Sequence, residues 1–416
     1  MHERDELLAR RRRALGAFAE LSYDQPVRIT HATGVWVHTA AGERLLDVYN
    51  NVPHVGHAHP RVAAAIAAQA QRVASNTRYL DERLIEYSER LLATFPAHLD
   101  TCLFVNSGSE ANDVAWQIAK AHTANCGALV MSHAYHGITD SVAALSTAIR
   151  RDPAPQVGQL PPPRNASDAE NVVAAASALI EQLQARGCPL AALLIDSAMT
   201  STGVYDPPSP WGALLSKAVH DAGALVIADE VQIGLGRCGS HLWGFERRGL
   251  SPDLVTLGKP IANGYPLGIV VLRRALLEPF QRDTGFFSTF GGNQVAAAAG
   301  LAVLEVVQQE GLRQNAERTG GYFLARLREL AAQQPLLREI RGSGLLLGAE
   351  LGAADGLSPA HFTRGVLNAL RARGILTGAD GPEGNVLKLR PPLPFLPEHV
   401  DRVITALQEV LQHARP

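Results

Sequence analysis

The chain has 416 residues, of which 46% are hydrophobic and 19% charged, with a formal net charge of −2. That length allows two domains or one large one with a sizeable core, and a near-neutral charge offers no electrostatic reason to expect nucleic acid or an anionic membrane as a partner. No apolar run approaches the length of a bilayer span, and Cys102, Cys126, Cys188 and Cys238 lack the spacing of a zinc site or a disulfide framework, so a soluble protein of the reducing cytoplasm without a metal centre is expected.

In chain order, the opening MHERDELLARRRRALGAF reads as a charged, solvated helix. It has no apolar core followed by a cleavage site, as a secretory signal requires, and Glu3, Asp5 and Glu6 argue against an organellar presequence. Short apolar runs then recur at residues 103–108, 128–137, 191–197, 224–230, 253–259 and 267–272, with helical patterns such as 110–122 and 169–187 between many of them. That rhythm predicts an α/β fold: a mostly parallel sheet, buried by helices on both faces. The proline-rich stretch 152–167 reads as a surface loop. From about Asn293 the texture changes to long helices at 293–311 and 316–333, small strands near 344–352 and 385–393, and a closing helix at 397–414. We read residues 1–52 as a segment joining a small domain, 53–290 as the large domain and 291–416 as the C-terminal small α+β domain.

In an open parallel sheet the ligand sits beyond the carboxyl ends of the strands. Those ends here carry Ser107-Gly108-Ser109, Tyr135-His136-Gly137, Asp196, Asp229-Glu230 and Lys259. In NSGSEAND, residues 106–113, a strand meets small residues and then a helix. This is a cup for a phosphate or simply a helix cap by Ser109. Asp229 can bind a metal, act as a base, hold a cationic ring nitrogen or cap structure, although no His or Cys stands at ligand spacing. Tyr135 offers a stacking face or is a half-buried loop residue. Lys259 ends an apolar strand after Gly258, which leaves room for a ring, and a lysine in a dehydrated pocket is a Schiff-base nucleophile. A Walker loop is excluded, because Asp253 stands where its first glycine belongs. A phosphate cup, a ring stacker, a carboxylate and a lysine at one sheet edge are the parts that pyridoxal phosphate requires.

The order NSGSEAND, YHG, ADEVQIGLGRCG, TLGKP and STFGGN resembles the class-III aminotransferases, which are fold-type-I pyridoxal-phosphate enzymes, over almost the whole chain. The resemblance implies that Lys259 forms the Schiff base with the cofactor and shuttles protons through a quinonoid intermediate, while Asp229 pairs with the pyridine nitrogen. It implies that Ser107, Gly108 and Ser109 cradle the phosphate, that Tyr135 and the adjoining His136 lie at the ring, and that Val231 and Gln232 contact its other face and phenolic oxygen. It also implies that Thr289 reaches the phosphate of a neighbouring subunit, hence a homodimer with shared active sites, or a tetramer built from it.

Within the class, residues 50–60 (NNVPHVGHAHP), 76–91 (NTRYLDERLIEYSERL) and 378–393 (GADGPEGNVLKLRPPL) resemble the ethanolamine-phosphate and phosphohydroxylysine phospho-lyases and their bacterial relatives. Two departures agree: Ser201 replaces the second glutamate of E-P-x-x-G-E-x-G, and Lys388 occupies the position of an arginine three residues before a Pro-Pro pair. A lysine cannot offer that arginine's bidentate fork. The expected reaction is a phospho-lyase-type elimination on an amino phosphate such as O-phosphoethanolamine, with a true transaminase as the alternative. Asn50, Asn51, His54, Arg78 and Lys388 are the candidates for holding an anionic substrate tail; equally, Arg78 pairs with Asp81 or Glu82, and Asn50-Asn51 shapes a turn.

Overall fold

A computed structural model describes residues 2–16, 21–150, 152, 154–207, 211–354, 356–412 and 414. Its centre is a seven-stranded sheet in the order β4-β10-β9-β8-β7-β5-β6. The strands are β4 (Thr101–Val105), β5 (Gly127–Met131), β6 (Val157–Leu160), β7 (Leu190–Asp196), β8 (Leu225–Asp229), β9 (Leu254–Leu257) and β10 (Gly268–Leu272). Only β10 runs against its neighbours among these.

The apolar runs fill this sheet because alternate side chains feed two cores at once. On one face Leu193, Ile195, Val226, Ala228, Val255 and Leu257 join the larger core cluster. On the other, Ala192, Leu194, Leu225, Ile227 and Leu254 meet Ala111, Ala115 and Ile118 of the helix Gly108–Thr123. A side chain such as Leu194, fully buried, is worth on the order of 2–5 kcal/mol against alanine at such a site.

Register decides what gathers at the carboxyl edge. Asp196, Asp229 and Thr256 stand directly opposite one another across β7, β8 and β9, and Lys259 follows two residues beyond β9.

Two smaller sheets flank this core. One joins β1 (Ile29–Thr33), β2 (Trp36–Thr39) and β3 (Arg44–Asp47) to the short β13 (Ile375–Leu376) from far along the chain. The other orders β11 (Leu337–Ser343), β12 (Leu346–Leu351), β15 (Val386–Leu389) and β14 (Gly378–Asp380). The helices His2–Leu15, Gln294–Gln309, Leu312–Gln333 and Pro397–Leu411 lie where the periodicity predicts them.

The stretch 152–167 is not only a loop. Residues Val157–Leu160 within it pair with β5 as the edge strand β6, because a short VGQL run can add to a buried neighbour despite the flanking prolines. Among the described residues no single helix is long and apolar enough to cross a membrane, and no group of three or more His, Cys, Asp or Glu is placed to hold a metal ion.

Candidate active site

A cavity of about 280 Å³ opens at the carboxyl edge of the central sheet. Ser107, Gly108 and Ser109 line it from the end of β4, Tyr135 and His136 from beyond β5, Asp229, Val231 and Gln232 from β8, and Lys259 from β9. These nine positions, distant in sequence, therefore share one site.

The cup is built by a helix cap. Ser107 is the N-cap of the helix Gly108–Thr123: its hydroxyl accepts from the Glu110 N–H at 3.2 Å and donates to the Glu110 carboxylate at 3.3 Å. The cap is thus Ser107 rather than Ser109, and the first helical N–H groups, at Gly108 and Ser109, have no partner within the helix. Glycine is required twice here. A Cβ on Gly108 would lie 2.9 Å from Val231 Cγ2, and one on Gly137, at φ +141°, would lie 2.6 Å from Ser109 Oγ. Gly258 has a different purpose from leaving room for a ring: a Cβ there would lie 3.0 Å from the Gly108 nitrogen, so it lets the end of β9 pack against the cup.

Asp229 is buried and fully engaged. Its Oδ2 accepts from Asn112 Nδ2 at 2.9 Å and from His136 Nδ1 at 2.8 Å, and its Oδ1 accepts from the Val231 N–H at 3.0 Å. Asn112 is held in turn, donating to the His136 carbonyl at 2.7 Å and accepting from Thr256 Oγ1 at 2.5 Å. His136 thus sits behind the carboxylate, with its Nε2 buried and unpartnered.

Lys259 carries φ +37°, a left-handed backbone that is costly for a side-chain-bearing residue, and Pro260 follows it into a short 3₁₀ turn. Burial pushes its amine below the usual lysine range, against the opposing pull of Asp229. Asp196, beside Asp229 in register, is pushed up by burial and by that neighbouring charge.

The remaining predicted residues do not line this cavity. Asn51 is buried and donates to Gln232 Oε1 at 2.9 Å, so it orients a residue that does. Asn50 donates to Asp47 and shapes a turn. His54 is fully buried, with Nε2 donating to the Leu235 carbonyl at 2.7 Å and Nδ1 accepting from Arg237 at 3.2 Å. Burial, with Arg237 beside it, pushes its pKa down to about 3. Both ring nitrogens are taken, so a ligand-holding role for His54 is corrected to a structural one. Arg78 is exposed and lies 3.9 Å above the Phe287 ring instead of pairing with Asp81, which caps the helix Glu82–Leu92. Thr289 is exposed.

Lys388 is buried and ion-paired with Asp380 across the β14–β15 pair. Burial and the nearby Arg390 lower its pKa to about 8. Asp380 precedes Gly381, whose N–H donates to the Ser201 carbonyl at 3.2 Å, so a carboxylate reaches the neighbourhood of Ser201 from another strand.

Two residues escape a motif reading. Asn112 lies one helical turn past the cup, a spacing that could have revealed it. Arg390 is buried, donates to Gln232 Oε1 and to the Tyr49 carbonyl, and stands two residues after Lys388. The period-2 alternation of a strand was its signal.

The residues present fit pyridoxal phosphate. The cup, open at Gly108, accommodates a phosphate, Asp229 suits a protonated ring nitrogen, and Lys259 is an amine that burial pushes below the usual lysine range.

The chain matches the family model described as aminotransferase class-III over residues 18–411. It is similar to a solved phospholyase from Arthrobacter in complex with phosphoethanolamine, with 41% identity, a TM-score of 0.94, and coverage of 98% of this chain and 99% of that one. It is also 33% identical to ethanolamine-phosphate phospho-lyase homolog 1 of Caenorhabditis elegans, covering 99% of this chain and 94% of the relative. An alanine–glyoxylate aminotransferase 2-like protein of Drosophila melanogaster is 34% identical, covering 98% and 87%. The chain belongs to the class-III aminotransferase family and is a pyridoxal-phosphate-dependent enzyme of it.

Proposed function

We propose that the enzyme eliminates phosphate and ammonia from a small amino phosphate such as O-phosphoethanolamine. The observation that carries this reading is the likeness, along nearly the full length of both chains, to the Arthrobacter phospholyase in complex with phosphoethanolamine. Buried Arg390, which donates to Gln232 and stands two residues after Lys388, supports it, since it brings a cationic fork to the edge of the cavity.

The cofactor's phosphate would rest on the N–H groups at Gly108 and Ser109 with Ser107, Tyr135 and Val231 would lie against its ring, and Gln232 would meet its phenolic oxygen. When bound, the cofactor supplies an electron sink for a carbanion at the amine-bearing carbon. Asp229 would hold the proton at the ring nitrogen, and Asn112, His136 and the Val231 N–H hold Asp229. Lys259 would anchor the cofactor covalently and then, as the base, take the proton from the amine-bearing carbon of the substrate. Phosphate leaves from the next carbon, its charge balanced by Lys388 and Arg390, and the released enamine hydrolyses to aldehyde and ammonia. A second copy of the chain completes the site with Thr289. The exposure of Thr289 beside exposed Phe286, Phe287 and Phe290 supports that arrangement.

A transaminase shares the same proton abstraction, and the Drosophila relative's name favours it as a second reading. Incubating the purified holoenzyme with O-phosphoethanolamine alone separates the two. Release of phosphate and ammonia without an amino acceptor is expected; turnover only with pyruvate or 2-oxoglutarate, and no phosphate release, overturns the proposal.

A further inference from the structure

Two cysteines separated widely in the chain meet at the end of the central sheet opposite the active site. Cys126 directly precedes β5 and Cys188 lies two residues before β7, and these parallel strands pair from their first residues, Gly127 beside Leu190. Hydrogen bonds set the spacing: the Gly127 N–H donates to the Pro189 carbonyl at 2.8 Å, and Asn125 Nδ2 donates to the Leu190 carbonyl at 2.9 Å. The approach is so close that a Cβ on Gly127 would lie 2.4 Å from the Cys188 carbonyl oxygen. The neighbouring Cys188 thiol pushes the Cys126 thiol up. Both are free, Cys126 exposed and Cys188 half-buried.

We infer that Cys126 and Cys188 form a reversible disulfide site, loaded by exchange with a soluble disulfide such as oxidised glutathione. The Cys126 thiolate, the accessible one, attacks a glutathione sulfur, forming a mixed disulfide and releasing one reduced glutathione. The Cys188 thiolate then attacks the Cys126 sulfur, closing the S–S bond and releasing the second. Two protein thiols are oxidised by two electrons, one glutathione disulfide is reduced to two thiols, and the two protein protons end on glutathione. With Cys188 beside it the Cys126 thiol is pushed up, so exchange accelerates with rising pH as the thiolate forms. Cys102 and Cys238 are internal controls, because burial pushes each of their thiols up to about 11. The link closes a long chain loop that contains β5, β6 and the helix Ala166–Ala185, so the oxidised form is the more heat-stable one.

The test equilibrates the full-length holoenzyme in mildly alkaline glutathione buffers of graded oxidation, quenches with acid, alkylates the remaining thiols and maps peptides by mass spectrometry. The expected product is an intrachain link between the Cys126 and Cys188 peptides, reversed by dithiothreitol, with Cys102 and Cys238 alkylated and the melting temperature raised by several degrees. Cys188→Ser should instead trap a glutathione adduct on Cys126, and Cys126→Ser should melt as the reduced protein does. If Cys126 holds glutathione while Cys188 stays alkylated across the whole range, or the link joins two chains on a non-reducing gel, the inference is overturned.

Discussion

Asp229 and Lys388 are both buried charges, yet they are held on opposite principles. Asp229 is fixed by three hydrogen-bond donors, Asn112, His136 and a backbone N–H, and Asn112 is itself held by the His136 carbonyl. Lys388 is held by one carboxylate, Asp380, with the like charge of Arg390 working against it. Donors locked in place fix a carboxylate without offering it an alternative partner, whereas a lysine paired with one carboxylate beside a like charge leaves cationic charge for an incoming anion to meet. The first arrangement suits a cofactor that stays and the second a substrate that comes and goes.

The largest expected effect tests the residue that both regions serve. Lys259→Ala should lower kcat by at least about 10⁴-fold and abolish the absorbance band of the lysine-bound cofactor; persistence of that band overturns the assignment. Asp229→Asn retains the shape but removes the charge that keeps the ring nitrogen protonated. A loss in kcat on the order of 10³-fold, with cofactor still bound, is expected, and near-normal turnover would show that the carboxylate charge is dispensable. Asn112→Ala leaves Asp229 and Thr256 each short of a partner. It should cost about 1–3 kcal/mol of stability, read as melting temperature, and lower kcat more than it raises KM.

The ionic region should respond to pH instead. Because the Lys388 pKa in the folded protein is about 8, below its unfolded value, the charged form is disfavoured by folding. The unfolded chain therefore binds more protons above pH ~8, and this group's contribution to stability rises from there to about pH 10.4. Binding of an anionic tail moves the other way: KM for O-phosphoethanolamine should rise as pH passes about 8, with little change in kcat. Lys388→Met should raise KM roughly 10-fold and flatten that rise, and an unaltered pH profile in the variant would show that Lys388 does not meet the substrate.

Much of this was readable before any coordinate. The apolar runs that became β7 and β8 are buried on both faces, and such burial leaves a strand little other than apolar residues to use. The cup NSGSEAND and the strand-ending Asp229 and Lys259 follow from local chain direction: a strand's last residues must emerge at its carboxyl edge. The prolines that flank β6 give its stretch the pattern of a loop, and only the partner β5 makes it a strand.

His54 shows the limit more sharply. Its place in a motif suggested a ligand, but Leu235 and Arg237, remote in sequence, take both of its nitrogens. The pairing of Lys388 with Asp380, the arrival of Arg390 at Gln232 and the meeting of Cys126 with Cys188 depend likewise on strand pairing between distant segments. Periodicity and short motifs report each residue's own burial and backbone, so the sequence by itself determined which elements form and which edge carries the chemistry. Which charge meets which is a property of contacts closed only on folding, and that was left to the tertiary structure.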